Sequence, residues 1–550
     1  MSNAALYLHP NGYDTTGKAL LGRHAAGESF LRGMLRHADV DRFYFWNAAG
    51  RPQTELDALV ARIEPPRRPV TWIPQTRRDQ IAEVGVLNVP SPEIDAEAWL
   101  RMPVGARRYA LCGLTHTTAT ATVMRVLPDL LVSPLEDYDA LICTSSAVRE
   151  AVETQLSGMR DYMADAYGPR RRPEPQRVTI PLGVNTADFE IRPEHRRAWR
   201  ERLDIPDDAV VVLYVGRFNI RGKMNPGLMA MALERAARQT GKPVYWVNSG
   251  WIDDPAAEAT FHDESRKLCP TVHYRHVDGR PPDVRFSIWS VADLFLSLSD
   301  NIQETFGLTP IEAMAAGLPC VVSDWNGYKD TVRDGVDGFR VPTLAPRPGY
   351  GGDLAYWFAN RWITYDNYVG ATAQYTAVDL ERAGSALSTL IDQPDLRRTM
   401  GEAARRRAQS VFDWAAIIPQ YQALWADQAA RLRAAAPEAA VRANPYRPDP
   451  YTLFGGYPSR HISPSDVVTL QPGYDWPAVH ARMEAPLAVY SRFNRPTPDE
   501  LRATIETLQT AGPRTVGQLR DQVAQGRRNF MERWVIWLAR HDVVTIQPGA

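Results

Sequence analysis

From residue 4 to about residue 430 the chain alternates short apolar runs with helix-like segments, which confines it to an α/β architecture of stacked βα units. In the first half, residues 4–8, 109–112 and 140–143 read as strands, and Ser145 or Ser146 caps the helix that carries Val148 and Val152. Residues 181–189 interrupt the pattern with Pro181, Gly183 and Asn185. A second series opens with the continuous apolar run 210–215 and continues through 244–247, 293–299 and 320–323. Runs apolar on both faces suit parallel strands covered by helices on either side. With 550 residues, there is room for two such sheets and a smaller third body.

The densest signal lies between two of these strands, at residues 304–319, where Glu304 and Glu312 flank the start of a helix. Thr309 suits the N-cap, Pro310 the first helical position, and Glu312 falls three residues past the cap. Gly317 and Pro319 stop the helix. In a parallel sheet such a turn lies at the carboxyl edge, where ligands bind, and a helix amino terminus there favours an anion. Two readings of Glu312 stand side by side. It is either the far half of a capping box with Thr309 or a ligand-binding carboxylate. A box leaves Glu304, Phe306, Gly307 and the small residues Ala313, Ala315, Ala316 and Gly317 unexplained.

This block resembles the E-x7-E signature of retaining glycosyltransferases of the GT-B fold, family 4 (group 1) in particular. The resemblance implies two Rossmann-like domains facing a central crevice. Residues 1–200 would form the acceptor-side domain and 201–415 the nucleotide-sugar-binding domain, with a helix over 416–436 crossing back to the first. It implies further that Glu312 binds the nucleotide ribose, that Glu304 contacts donor-sugar hydroxyls, and that Phe306, Gly307, Leu308 and Thr309 line the donor, Gly307 to Thr309 through backbone N–H groups. Arg217 and Lys223, in the run Gly216-Arg-Phe-Asn-Ile-Arg-Gly-Lys223, match the pair that binds the donor diphosphate, with Arg221 a rival for either role. A planar guanidinium and a compact ammonium are the two side chains suited to a diphosphate whose charge grows as the anomeric bond breaks. Where the family often has paired glycines and a glutamate, this chain has residues 324–330, Asp-Trp-Asn-Gly-Tyr-Lys-Asp, so no role carries over to Trp325, Asn326 or Asp330.

His116 follows a strand and resembles the histidine that family members direct at the donor sugar; a satisfied structural histidine is the equal alternative. Gly12, Gly17 and Lys18 match G-x4-G-K after the first strand, but Ala19 stands where a P-loop needs Ser or Thr for Mg²⁺. Gly12, Gly17 and Gly22 therefore read as a glycine-rich loop near donor or acceptor. The expected activity is retaining transfer of a hexosyl unit from a nucleotide-diphosphate sugar to a glycan, lipid-linked or small acceptor. A GT-B phosphorylase, a sugar-nucleotide epimerase and a non-catalytic sugar-nucleotide-binding protein are the alternatives.

No cofactor beyond the nucleotide sugar is expected, and no His, Cys or carboxylate cluster stands out as a metal site. Basic and acidic residues number 63 and 64, so a formal charge of −1 gives no global case for nucleic acid or an acidic membrane. Four scattered cysteines without CxxC pairs read as buried thiols of a reducing compartment. With no apolar span near the ~20 residues that cross a bilayer, and no basic-apolar leader, a cytoplasmic, soluble or membrane-peripheral protein is expected.

Two segments lie outside the family pattern. The stretch from 343 to about 376 carries Tyr350, Tyr356, Trp357, Phe358, Trp362, Tyr365 and Tyr368 and reads first as a hydrophobic cluster under a loop, second as an acceptor lid. Residues 437–477 read as a Pro-, Tyr- and Gly-rich linker, and 478–550 as a small helical domain of winged-helix-like outline. Its arginines are read as a docking surface for a protein or membrane rather than as nucleic-acid contacts.

Overall fold

The computed structural model describes residues 3–15, 22–169, 172–252, 254–435, 443–488 and 497–549. Strands β1 (Ala5–Leu8), β2 (Phe43–Asn47), β3 (Val70–Ile73), β4 (Val86–Asn88), β5 (Ala110–Leu114), β6 (Ala140–Cys143) and β7 (Gln176–Thr179) form one parallel sheet in the order β3-β2-β1-β4-β5-β6-β7. Strands β8 (Val210–Val215), β9 (Val244–Gly250), β10 (His273–Asp278), β11 (Leu294–Ser297), β12 (Cys320–Ser323) and β13 (Gly338–Val341) form a second, in the order β10-β9-β8-β11-β12-β13. Both sheets reverse their winding direction beside their first strand, which opens a crevice there at the carboxyl ends. The reversal in the second sheet lies between β8 and β11, the strands that lead into Arg217 and Glu304.

The unbroken apolar runs follow from burial on both faces. Val211, Leu213, Val247 and Phe295 enter one layer, and Val212, Tyr214, Trp246 and Leu296 the other. The first sheet is filled likewise by Leu6, Phe45 and Cys112 on one side and Ala5, Leu87 and Leu111 on the other. All four cysteines are buried free thiols.

The helix Trp414–Ala434 packs on the first sheet, burying Trp414, Ile417, Tyr421 and Trp425 in its core. Buried Gln428 donates to the carbonyls of Leu111 and Tyr138 at 2.8 and 3.0 Å. Gly33 and Gly183 lie flat against the Trp414 ring, where a Cβ would come within 2.4 and 2.7 Å. A C-terminal helix therefore completes an N-terminal core.

The aromatic segment departs from its first reading. Strands β14 (Thr343–Leu344) and β15 (Ala377–Val378) pair antiparallel and close it off at its base. The helices Gly352–Ala359 and Tyr365–Gln374 between them leave Tyr350, Tyr356, Trp357 and Trp362 exposed, Tyr350 at 68% and Trp362 at 66%, with Phe358, Tyr365 and Tyr368 half-buried. Only Phe358 and Tyr368 stack closely, at 4.4 Å. The insertion is too short to build a core of its own, so most of its aromatic side chains remain outside.

Residues 444–550 form a separate compact unit. Strands β16 (Val467–Leu470), β17 (Arg514–Thr515) and β18 (Val544–Gln547) pair antiparallel in the order β17-β16-β18, around a core containing Leu501, Ile505, Trp534 and Leu538. The stretch read as a linker thus supplies the unit's central strand. The helices Pro498–Ala511 and Val516–Asp521 each start with a capping box, Thr497 with Glu500 and Thr515 with Gln518. Arg527 is bound bidentately by Glu500 at 2.8 and 2.9 Å, and Arg533 lies over the Phe530 ring. No helix among the described residues is long and apolar enough to cross a membrane.

Candidate active site

Strand β8 ends where glycine is required. A Cβ on Gly250 would sit 1.8 Å from the carbonyl oxygen of Gly216, so the ends of β8 and β9 touch backbone to backbone. Gly216 donates its N–H to Ser249, and Gly279 donates its own to Gly250. The chain then turns through Arg217 into a loop locked by Asn219, whose side chain accepts from the Gly222 N–H at 2.8 Å and whose carbonyl accepts from that of Lys223. This folds Lys223 back over the crevice.

There the Lys223 ammonium lies 3.3 Å from Glu304 Oε2. Both side chains remain open to a ligand, at 27% and 20% exposure. Burial pushes the Glu304 carboxyl up, but the Lys223 charge and the N–H groups of Thr305 and Phe306 outweigh it and hold the pKa below its ordinary value. Glu304 is therefore ionised at neutral pH. Arg217 and Glu304 both act on the buried Tyr214 hydroxyl, which puts them in one neighbourhood. Among the described residues, the Arg217 side chain makes no hydrogen bond or ion pair. Its rival Arg221 is exposed and lies along Gly370 of the aromatic insertion.

The helix after Glu304 runs from Leu308 to Ala315, and its N-cap is Gly307, at φ 88° and ψ 85°. Thr309 and Pro310 are thus its second and third residues. The capping box, one of the two readings of Glu312, does not form, because the left-handed glycine starts the helix two residues early and carries Glu312 past the reach of the cap. Proline is tolerated at the third position, since first-turn N–H groups lack helical partners anyway. Gly317, at φ 79°, ends the helix as expected.

Glu312 faces a narrow cleft with Ser29, Asn185 and Arg285. No hydrogen bond to its carboxylate is found among the described residues, and burial pushes its pKa up to about 7, only partly opposed by Arg285. The two glutamates thus differ in kind, one charge-paired and one waiting. Linkage gives a test. The folded pKa lies above the unfolded value near 4.5, so Glu312 costs no stability below that value and an increasing amount as pH rises to about 7. Glu312→Gln should raise the thermal midpoint at pH 8 and leave it nearly unchanged at pH 5. Equal effects at both pH values would show that the carboxylate is not strained.

Other positions fall variously. The Phe306 ring is core, 6.1 Å from Phe412, so only its backbone faces Glu304. Leu308 and Thr309 lie half-buried in the first turn. His116 sits at the end of β5 with Nε2 donating to the Pro90 carbonyl at 3.0 Å, and its neighbour Thr117 meets the Tyr365 hydroxyl of the insertion. Gly12 belongs to a one-turn helix, Pro10–Tyr13, whose carbonyl at Gly12 fills the space a Cβ on Gly27 would need. Gly17 and Lys18 lie outside the described residues.

Residues 324–330, to which no role carried over, hold the Glu304 loop. Asn326 donates to the Glu304 carbonyl at 2.9 Å, and Trp325 to that of Asn301 at 3.1 Å. The Tyr328 ring lies beneath Gly307, with its hydroxyl 2.9 Å from Ser297 Oγ. From the first domain, Ser145 donates to the Thr305 carbonyl at 2.7 Å and Ser146 to Asp330 at 2.6 and 2.7 Å. These contacts tie the two walls of the crevice at the Glu304 loop. Spacing alone could not reveal them, because each joins residues far apart in sequence.

Residues 195–346 match the family model described as glycosyl transferases group 1. The chain carries a group 1 glycosyltransferase domain. That domain contains Arg217, Lys223, Glu304 and Glu312. Curated relatives include D-inositol 3-phosphate glycosyltransferases of Nocardioides sp. (28% identical over 266 residues, 46% of this chain and 57% of the relative) and of Kineococcus radiotolerans (30% over 265 residues, 47% and 52%). The chain spans about half the length of these relatives. The crystal structure of HepE from Anabaena with UDP and glucose superposes with a TM-score of 0.50 at 15% identity, covering 77% of this chain and 99% of that one. The group 1 domain thus sits within a GT-B fold, two parallel-sheet domains with a crevice between them.

Proposed function

We propose that this chain is a retaining glycosyltransferase, of family 4 type, that moves a hexosyl unit from a nucleotide-diphosphate sugar to an acceptor in glycan or glycoconjugate synthesis. The observation that carries the reading is the convergence of Arg217 and Lys223 with Glu304 at the carboxyl edge of one parallel sheet. Two cations there can stabilise the negative charge that grows on the departing diphosphate. Glu304, kept ionised, accepts hydroxyls of the donor sugar, and Glu312 those of the ribose. Gly307 presents backbone N–H groups of the following helix to the distal phosphate. The acceptor enters from the first domain beside His116, and the exposed aromatic faces of residues 345–376 offer stacking surfaces to it. Because Arg217 and Lys223 already supply positive charge, the transfer needs no divalent cation, and added Mg²⁺ leaves the rate unchanged.

The test is a thermal-shift panel of UDP-, GDP- and ADP-sugars on the full chain, followed by nucleotide diphosphate release with and without acceptors. Inositol 3-phosphate, named in the curated relatives, belongs in that acceptor set. A donor at 100 times its Kd, binding only the folded state, adds about 2.7 kcal/mol to stability, enough to move the midpoint. We expect one base to raise it and release to follow. Failure of every nucleotide sugar to shift the midpoint would sink the reading. Strict dependence on phosphate would favour a phosphorylase, donor interconversion an epimerase, and binding without turnover a sensor.

A further inference from the structure

The sequence shows no metal-binding cluster, yet the fold assembles one on the edge strand of the second sheet. Glu258 and His262 are four residues apart on the helix Pro255–Leu268 and so share one face, and His276 projects from the adjoining β10. Glu258 Oε1 lies 3.8 Å from His262 Nε2 and 3.8 Å from His276 Nε2, and all three ligand atoms fall within 4.8 Å of one another. Ligands at zinc distances of about 2.0–2.1 Å in a tetrahedron stand about 3.3 Å apart, so shifts of about 1 Å or less would close the set.

A second observation points the same way. His262 is only 7% exposed, and its Nε2 has no hydrogen-bond partner although it is aimed at Glu258 and His276. A buried polar nitrogen left in that state costs free energy unless something binds it. Its other nitrogen, Nδ1, is 2.5 Å from the Tyr274 hydroxyl. If Nδ1–H donates there, the Nε2 lone pair faces the cluster, which is how an outer partner fixes the tautomer of a ligating histidine. Glu258 and His276 are partly exposed, which leaves a way in for an ion.

We propose that Glu258, His262 and His276 form a binding site for a zinc-class divalent cation. Two imidazoles and one carboxylate suit that class rather than Mg²⁺ or Ca²⁺, which prefer all-oxygen sets. The site's role is to brace the crevice wall. The Phe218 ring lies against both imidazoles, at 5.2 and 5.3 Å, and its N–H is bound to the Trp251 carbonyl one residue after Arg217. An ion joining the helix Pro255–Leu268 to β10 would hold Phe218, and through it the Arg217 turn, in position.

The experiment uses the full chain stripped with a chelator, then equilibrium dialysis against Zn²⁺ with elemental analysis, and Co²⁺ as a spectroscopic probe. One ion per chain, visible d–d bands of four-coordinate cobalt and a raised thermal midpoint are expected. His276→Gln, at a partly exposed position that should fold normally, should weaken binding by more than the about 10–100-fold that loss of an outer partner costs. His461→Gln, in the separate C-terminal unit, should change nothing. Failure of the stripped chain to take up one equivalent overturns the site. So does uptake that His276→Gln and His262→Gln both leave intact, which would mark an adventitious ion only.

Discussion

Lys223→Ala is expected to lower nucleotide diphosphate release by about 10²–10³-fold, the cost of removing one preorganised charge from an electrostatic site. The fold should survive, because Lys223 is 27% exposed and its ion pair with Glu304 is open to solvent on one side. The substitution also removes what holds the Glu304 carboxyl low. Desolvation then acts unopposed except by the Thr305 and Phe306 N–H groups, and the pKa rises. If Glu304 accepts sugar hydroxyls as proposed, its ionised form is the better acceptor, and the acid limb of residual activity should therefore move to higher pH. Glu304→Gln should cost a similar factor, and the double variant should cost less than the product, because the two groups act as a unit. Wild-type turnover by Lys223→Ala, with donor binding unchanged, would refute the assignment.

Gly307→Ala is expected to be strongly damaging, because a left-handed backbone and a close contact coincide there. A Cβ there would stand 2.1 Å from Tyr328 Cε1, in a residue held at φ 88°. Tyr328 cannot step aside, because it is 2% exposed and anchored to Ser297 at 2.9 Å. Backbone strain and overpacking each cost about 1–3 kcal/mol, and here they act together. Gly335→Ala separates the two. Gly335 also has positive φ, at 71°, but nothing lies within 4 Å of its Cβ position. Unfolding midpoints should fall modestly for Gly335→Ala and far more for Gly307→Ala. Equal losses would mean that the Tyr328 contact is not restrictive.

Much of the architecture is legible because it rests on local pattern. Continuous apolar runs such as residues 210–215 can satisfy both faces only inside a doubly covered parallel sheet, and each appears as a strand. The helix after Glu304 is legible for the same reason, and so is its glycine stop. Its start is misread by two residues, because Thr309-Pro310 is a strong local signal that the left-handed Gly307 overrides. That small shift matters, since it removes the structural explanation for Glu312 and leaves its carboxylate with no hydrogen bond among the described residues. The C-terminal unit shows the converse error. Residues 467–470 look like linker because their sheet partners come from 514–515 and 544–547.

A family resemblance pointed to Arg217 and Lys223; by itself, the sequence determined two parallel α/β sheets and the turn that carries Glu304 and Glu312. These depend on hydrophobic period, helix punctuation and residue chemistry, all of which are written over a few consecutive positions. Only the tertiary structure decided which cation meets which carboxylate. It paired Lys223 with Glu304, turned Arg221 aside onto the insertion and left Glu312 desolvated near Arg285. It alone brought Glu258 and His262 to His276 and locked the Glu304 loop with Asn326 and Ser145. The physical reason is that charge pairing, desolvation and metal geometry depend on distances of a few ångströms between residues that packing, not sequence spacing, makes neighbours.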